Sequence, residues 1–224
     1  MRRTWLPKAG RATMVLAAAC WSLPASSSAQ DTQFWLANSL TYGLKTAWQL
    51  KITQELRAGE LARSDILLRN WSLGFGRSLR RNLHFAVSYK REWEEKVGFT
   101  RKENRLVLDG GWKNGLTPEV TFDVRLRSEF RRFEDNRATN HSRYRIRIRF
   151  RRRVKNRGRS MTPFVWTEIF SNPNSVEGFA RVRSSLGANV RLSPRAAMQV
   201  GYLRQDVDDG DSIQALKLGF DLNL

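Results

Sequence analysis

The sequence predicts an all-β fold, a membrane-spanning antiparallel up-and-down β-barrel of 10 to 12 strands, and three observations predict it. Apolar and polar side chains alternate with period two in segment after segment of about ten residues, the length of a tilted membrane strand. The connections between segments alternate between tight and long, as in barrels that keep their short turns on the periplasmic side. Beyond residue 30 the longest apolar run is Phe34-Trp35-Leu36-Ala37, far short of the roughly twenty residues a membrane helix requires.

Residues 1–29 read as a signal peptide. Arg2, Arg3, Lys8 and Arg11 precede the apolar stretch Met14-Val15-Leu16-Ala17-Ala18-Ala19-Cys20-Trp21, and small residues follow, with Ser27 and Ala29 at the two positions a signal-peptidase pocket must accommodate. Cleavage after Ala29 leaves residues 30–224 as one barrel domain, and the expected destination is the outer membrane of a Gram-negative cell. Cys20 is the only cysteine and leaves with the signal, so the mature chain has neither a disulfide nor a thiolate metal site. No cofactor is expected. The formal net charge is +19, and +15 without the four basic residues of the first 29. Strong positive charge calls for anionic neighbours. For an exported protein these are outer-membrane lipid, lipopolysaccharide phosphates and anionic solutes rather than nucleic acid, together with the barrel-assembly machinery during insertion.

Eleven alternating segments begin near residues 32, 48, 66, 82, 101, 118, 142, 161, 178, 195 and 212. The first opens on Phe34-Trp35. The second carries Trp48, Leu50, Ile52 and Leu56 on one face; a later one carries Leu83, Phe85, Val87, Tyr89 and Trp93. Val120, Phe122, Val124, Leu126 and Phe130 alternate with Thr121, Asp123, Arg125, Arg127 and Glu129. Next, Tyr144, Ile146, Ile148 and Phe150 alternate with an unbroken row of arginines. Ala196, Met198, Val200 and Tyr202 precede the clearest case, Leu216, Leu218, Phe220, Leu222 and Leu224, an amphipathic closing strand of the kind assembly machinery recognises. Tight turns are expected at residues 45–47, 80–82, 113–115 and 193–195, and longer loops at 58–65, 94–99, 131–141, 171–178 and 206–211. Bacterial single-chain barrels have an even strand count. Ten strands from residue 48 onward, with the first segment left over, or twelve with one missed, are therefore expected.

Alternation does not say which face is outside, because a soluble periplasmic barrel that binds polyanions would place its apolar face inward. Ten or more strands carry more large apolar side chains than a small barrel can hold inside. Gly74, Gly76, Gly187, Gly201 and Gly219 fall on the polar face, and Trp48, Trp93, Trp112, Phe130 and Tyr144 gather near strand ends, where aromatic rings suit the headgroup boundary. The apolar face is expected to meet lipid.

Phe34-Trp35, Gln54-Glu55-Leu56-Arg57, Glu103-Asn104-Arg105-Leu106, Arg125-Leu126-Arg127-Ser128-Glu129, Arg143-Tyr144-Arg145, Glu168-Ile169-Phe170 and Gly201-Tyr202-Leu203-Arg204-Gln205 follow one another along nearly the whole mature chain. In that order they resemble domain-of-unknown-function family 2490, a family of outer-membrane proteins. The resemblance implies a barrel and no established activity. The richness in arginine at Arg147, Arg149, Arg151, Arg152 and Arg153 departs from the family pattern.

Strand geometry places Arg143, Arg145, Arg147, Arg149 and Arg151 on one face, into the lumen if the apolar face meets lipid. Such a row repels itself unless neutralised. One reading pairs it with Asp123 and Glu129 of the preceding strand and with Glu103, Asp109 and Glu168 of others, a structural network. The other leaves an excess of arginine that makes the lumen an anion-preferring channel. A lipid-modifying enzyme is the competing class. His84 and Ser88 share a strand face but stand about 13 Å apart, and His141-Ser142 sits at a loop edge, so no base reaches a nucleophile and catalytic residues are not expected. The basic run from Arg151 to Arg159 reads as a solvated turn.

Overall fold

The computed structural model describes residues 30–44, 47–59, 66–135, 138–156, 159–173, 179–207 and 212–224. The proposed signal peptide lies outside them, as do most of the long connections. The strands are β1 (Gln30–Gly43), β2 (Trp48–Ala58), β3 (Ile66–Arg80), β4 (Leu83–Lys96), β5 (Phe99–Gly115), β6 (Val120–Phe133), β7 (His141–Arg152), β8 (Val154–Asn156), β9 (Arg159–Ser171), β10 (Phe179–Arg191), β11 (Ala196–Val207) and β12 (Ser212–Asn223). Each of the eleven segments of the sequence corresponds to one wall strand. The short β8 continues β7 beyond Arg153 and pairs with the start of β9.

The wall closes on itself. Neighbours in sequence pair antiparallel from β1 to β7, then β7 with β9 and onward to β12, and β12 pairs with β1. Eleven is an odd number, so this last pair is parallel, running from Gln30↔Ser212 to Thr41↔Asn223. Eleven lies within the expected range of 10 to 12, and what is corrected is the expectation of an even count, by leaving the first segment over or by finding a missed strand: β1 is part of the wall. The alternation permits it. Phe34, Leu36 and Leu40 stand beside Leu216, Leu218 and Leu222 outside, while Ala37 meets Gly219 and Ser39 meets Asp221 inside. Ser39 donates a hydrogen bond to Asp221 across the seam.

Two turns differ from expectation. Residues 94–99 are not a loop, because β4 runs to Lys96 and β5 starts at Phe99, with Gly98 supplying the left-handed φ of 78° that a tight reversal needs. Residues 113–115 belong to β5, and the turn lies at 116–119. There the Thr117 hydroxyl accepts the backbone N–H groups of Glu119 and Val120 at 3.3 and 3.0 Å.

Large apolar side chains cover the outside. Ile52, Leu73, Phe85, Leu106, Leu126, Ile146, Ile169, Val200, Leu216 and Phe220 are all exposed, on strands whose other face lines the lumen. A membrane-spanning barrel shows this inversion of the soluble pattern. Aromatic contacts band both ends. Trp48 stacks on Phe75 at 4.5 Å, and Trp112, Phe122 and Phe150 form a chain at 6.1 and 5.0 Å near the short turns. Trp71 meets Tyr89 at 5.8 Å toward the other end.

The odd count makes a topological prediction. In a Cys20→Ser background, Thr32→Cys and Val97→Cys should react with a membrane-impermeant maleimide from one side of the membrane, and Arg195→Cys from the other. If Thr32→Cys reacts with Arg195→Cys, the parallel seam is wrong.

Candidate functional site

The lumen is built from what alternation forces inward. On β6 the inward residues are Thr121, Asp123, Arg125, Arg127 and Glu129, and on β7 they are Arg143, Arg145, Arg147, Arg149 and Arg151. The register sets Glu129 opposite Arg143 and Asp123 opposite Arg149, but Arg125 opposite Arg147 and Arg127 opposite Arg145. Acids thus face Arg143 and Arg149, arginines face arginines between those two, and Thr121 faces Arg151.

The structure divides the arginine row accordingly. Arg143 donates through Nε and Nη2 to one oxygen of Glu129 at 2.7 and 2.5 Å. Arg145 spans two carboxylates, giving Nη1 to the other oxygen of Glu129 at 2.6 Å and Nη2 to Glu168 at 2.5 Å. The second oxygen of Glu168 accepts Arg125 at 2.6 Å. Glu129 and Glu168 are each 1% exposed, so these are fully enclosed, charge-assisted bonds. In the lower half of the row, Asp123 alone serves three guanidiniums. Arg149 lies at 2.9 Å, Arg151 at 3.0 Å and Arg147 at only 3.9 Å. Glu168 is in register with Arg147, yet its oxygens are committed to Arg145 and Arg125. The Nε atoms of Arg125, Arg145, Arg147 and Arg151 are all buried without a hydrogen-bond partner among the described residues, so it is the carboxylate contacts of the terminal nitrogens that distinguish Arg145 from Arg147.

Of the other acids named from sequence, Asp109 holds Arg127 through two bonds of 2.8 Å. Glu103 takes Arg131 at 2.6 and 2.7 Å and Arg105 at 2.8 Å and does not reach the row. Arg105 extends the network to Glu92 at 3.1 Å, and Lys90 joins Glu92 at 2.8 Å. Arg105, Arg125, Arg127, Lys90 and Glu92 are therefore site residues that the row of arginines alone does not single out. Their signal is the same alternation on β4, β5 and β6.

An aromatic group completes the interior. Trp35, Phe164, Trp166, Leu203 and Ala215 form a buried apolar cluster inside the barrel, and Phe170 is buried beside it. The lumen is thus lined by apolar as well as by charged side chains. On β9 both faces are apolar, so period two alone does not mark which aromatic residues point in. Room for Phe164 comes from the facing glycines Gly187 and Gly201: a Cβ at Gly187 would lie 2.8 Å from the Phe164 ring and 2.3 Å from the Val200 carbonyl. Guanidiniums seal the cluster. Arg57 lies 3.8 Å above Trp35, Arg183 5.0 Å from Trp35 and 4.9 Å from Phe170, and Arg145 4.5 Å from Phe170. Arg183 also donates to Gln205 at 3.1 and 2.5 Å.

Ion pairs and the aromatic cluster together occupy the half of the lumen away from the short turns. Toward the short turns the lumen widens into a chamber of about 510 Å³. Arg125, Arg147, Arg149, Arg151, Lys51, Lys113 and Lys217 line it, against the acids Glu55, Asp109, Asp123 and Asp221. His84 lies in its wall with its ring against Gly111, where a Cβ would fall 1.8 Å from the ring. Ser88 lines the same chamber. His141 is elsewhere, sharing a hydrogen bond with Arg131 at 2.8 Å. Among the described residues no group of His, Cys, Asp and Glu is placed to hold a metal ion.

A family model described as protein of unknown function, DUF2490, matches residues 32–215. Among solved structures, the NanC porin is similar with a TM-score of 0.52 and 12% identity over 87% of this chain and 99% of that one. The β domain of the Bordetella autotransporter BrkA has a TM-score of 0.52 and 11% identity, over 81% and 86%. LpxR from Salmonella typhimurium has a TM-score of 0.52 and 9% identity, over 79% and 83%. At these identities the likeness is one of fold, that of outer-membrane barrels, and it supports an outer-membrane location. No curated protein sequence matches.

Glu129 is the acid on which most of the plug converges. Glu129→Gln leaves the buried Arg143 without its carboxylate and Arg145 with half of its pairing, and should cost about 3–5 kcal/mol. Urea titration of the folded, heat-modifiable gel band should show the lowered midpoint, and an unchanged midpoint would mean the network contributes nothing.

Proposed function

The chain belongs to the DUF2490 family, and we propose that it is an outer-membrane barrel that captures small anions in the chamber at its short-turn end, its lumen being stopped beyond that by the ion-paired plug. The observation that carries this reading is the arrangement around Asp123. One carboxylate serves Arg147, Arg149 and Arg151, and Arg125 stands opposite Arg147 across the strand pair.

Like charges directly opposite on a sheet are destabilising, and a guanidinium withdrawn from water needs a partner. A phosphate or carboxylate entering the chamber supplies that partner. It would accept from the planar forks of Arg147 and Arg125, and arginine suits this geometry better than lysine because its donors are fixed in a plane. The dense pairing of Arg143, Arg145 and Arg105 further along argues against a wide pore. The resulting barrel prefers anions and passes them poorly. Binding and orientation are the whole of its proposed chemistry, and no catalytic residue is assigned.

Arg147→Gln separates this reading from a purely structural one through two effects of opposite sign. In phosphate-free buffer the variant should unfold at a higher temperature than the parent, because a repulsive pair has been removed. Inorganic phosphate should raise the unfolding temperature of the refolded parent at constant ionic strength and should bind the variant about tenfold more weakly. The reading fails if phosphate has no effect on the parent, or acts equally on both proteins. In planar bilayers the parent should give small, anion-preferring conductance steps; a large non-selective conductance would also overturn it.

A further inference from the structure

Positive charge is also gathered on the outside of the barrel, at the end away from the short turns, and among the described residues it is concentrated on one side. Register carries outward positions from strand to strand. In the outermost row Arg69 faces Trp93, which faces Lys102. In the next row Trp71 faces Arg91, Arg91 faces Asn104, and Asn104 faces Arg132. One row further toward the middle, Leu73, Tyr89, Leu106 and Phe130 follow one another across the same four strands, all exposed.

Three successive rows on β3, β4, β5 and β6 thus grade from charged, with Glu134 beside Lys102 in the outermost, through mixed to apolar. Elsewhere around this rim the outward cation among the described residues is Arg204, which is paired with Asp206 at 2.8 Å. In the patch, Arg91 pairs with Glu134 at 2.8 Å, and Glu95 accepts the Thr100 hydroxyl at 2.7 Å. Arg69, Lys102 and Arg132 make no salt bridge with a described residue. Trp93 lies between two guanidiniums, with Arg69 at 5.7 Å and Arg91 at 5.3 Å, a contact that holds both charges at the boundary where the apolar belt ends.

We infer that this face binds the phosphorylated headgroup of lipopolysaccharide, with the acyl chains lying along Leu73, Tyr89, Leu106 and Phe130. The inference rests on outer-membrane placement with the long connections outside, and not on the chamber. The spacing selects the lipid. Arg69 and Lys102 are two strands apart, as are Arg91 and Arg132, a separation of about 10 Å at ordinary strand spacing. A headgroup with two phosphates on a saccharide engages both pairs at once; a glycerophospholipid offers one phosphate and engages one. A single cation near such a surface binds weakly, so the cluster is strong only when its members act together.

The test uses the full mature chain refolded in detergent and titrated with purified lipopolysaccharide, bound lipid being counted by native mass spectrometry. The parent should bind it, and the triple variant Arg69→Ser, Lys102→Ser, Arg132→Ser should bind at least about tenfold more weakly. All three side chains are exposed, so the variant should keep its heat-modifiable mobility, and the single reversal Arg132→Glu should act in the same direction. Arg204→Ser, on the far side of the rim, should change nothing. Equal binding by parent and triple variant would overturn the inference. So would equal binding of dephosphorylated lipopolysaccharide, or displacement of lipopolysaccharide by an equal concentration of phosphatidylglycerol. Loss of phosphate stabilisation in the Arg147→Gln variant, with lipid binding intact, would show that the two sites stand or fall separately.

Discussion

Arg145 is held at both ends of its guanidinium, by Glu129 on one side and Glu168 on the other, and the interior of the barrel is organised around that bridge. A guanidinium in a closed wall has lipid behind it and little water in front, and it cannot shed its proton at any ordinary pH. It must therefore be neutralised where it stands. Strand alternation sends five arginines of β7 to the same side, and β6 supplies acids opposite only two of them. Glu168 is recruited across the lumen side from β9, which ties three consecutive wall strands together by side chains as well as by backbone.

What Glu168 gives to Arg145 and Arg125 it withholds from Arg147. The enclosed half of the lumen is therefore densely ion-paired, although Arg183 is held there by Gln205 and not by a carboxylate, while the half near the short turns keeps Arg147 as a surplus cation with no acid closer than 3.9 Å. This separation follows from register rather than from composition. Shifting β7 by two residues against β6 would keep every arginine inward but move the acids of β6 onto different partners, and the surplus would appear elsewhere. The aromatic cluster reinforces the asymmetry. Phe164, Trp166 and Phe170 stand on β9 directly beside the arginine row of β7, Trp35 completes the group from β1, and Arg57, Arg145 and Arg183 close over the rings. Apolar faces and guanidinium planes pack where neither would pack against bare charge.

Wherever one face of a strand is apolar and the other polar, the strand and its orientation can be read directly from the residues, as with Leu216 to Leu224 and the arginine row. Legibility ends where both faces are apolar. On β9, Phe164, Trp166 and Phe170 alternate with Val165 and Ile169, so nothing local tells the lumen side from the lipid side, and the aromatic part of the plug is invisible before the strands are closed. Pair identity is hidden for a different reason. That Arg143 to Arg151 need carboxylates is evident from strand spacing, but which carboxylate reaches which arginine depends on cross-strand register and on residues such as Glu168 that lie far away in sequence. Asp123 and Glu129 were legible as partners because they belong to the neighbouring strand; their unequal loads were not.

The strand count illustrates how a sound general rule is overridden by local matching. A hairpin barrel with an even count returns its last strand antiparallel to its first, and the eleven segments here were expected to shed or gain one for that reason. A parallel seam asks only that inside and outside alternate in phase across it, since parallel and antiparallel ladders share the same period of two. β1 meets this demand on both sides at once. Its Phe34, Leu36 and Leu40 face outward beside Leu216, Leu218 and Leu222 of β12 and beside Ala58, Leu56 and Ile52 of β2. A slip of one residue would turn Trp35 into the lipid and Phe34 into the lumen, removing the ring that Arg57 and Arg183 cover. The charge-sealed plug and the parallel seam therefore specify one another: the seam register places Trp35 inside, and the arginines waiting there make every other register costlier.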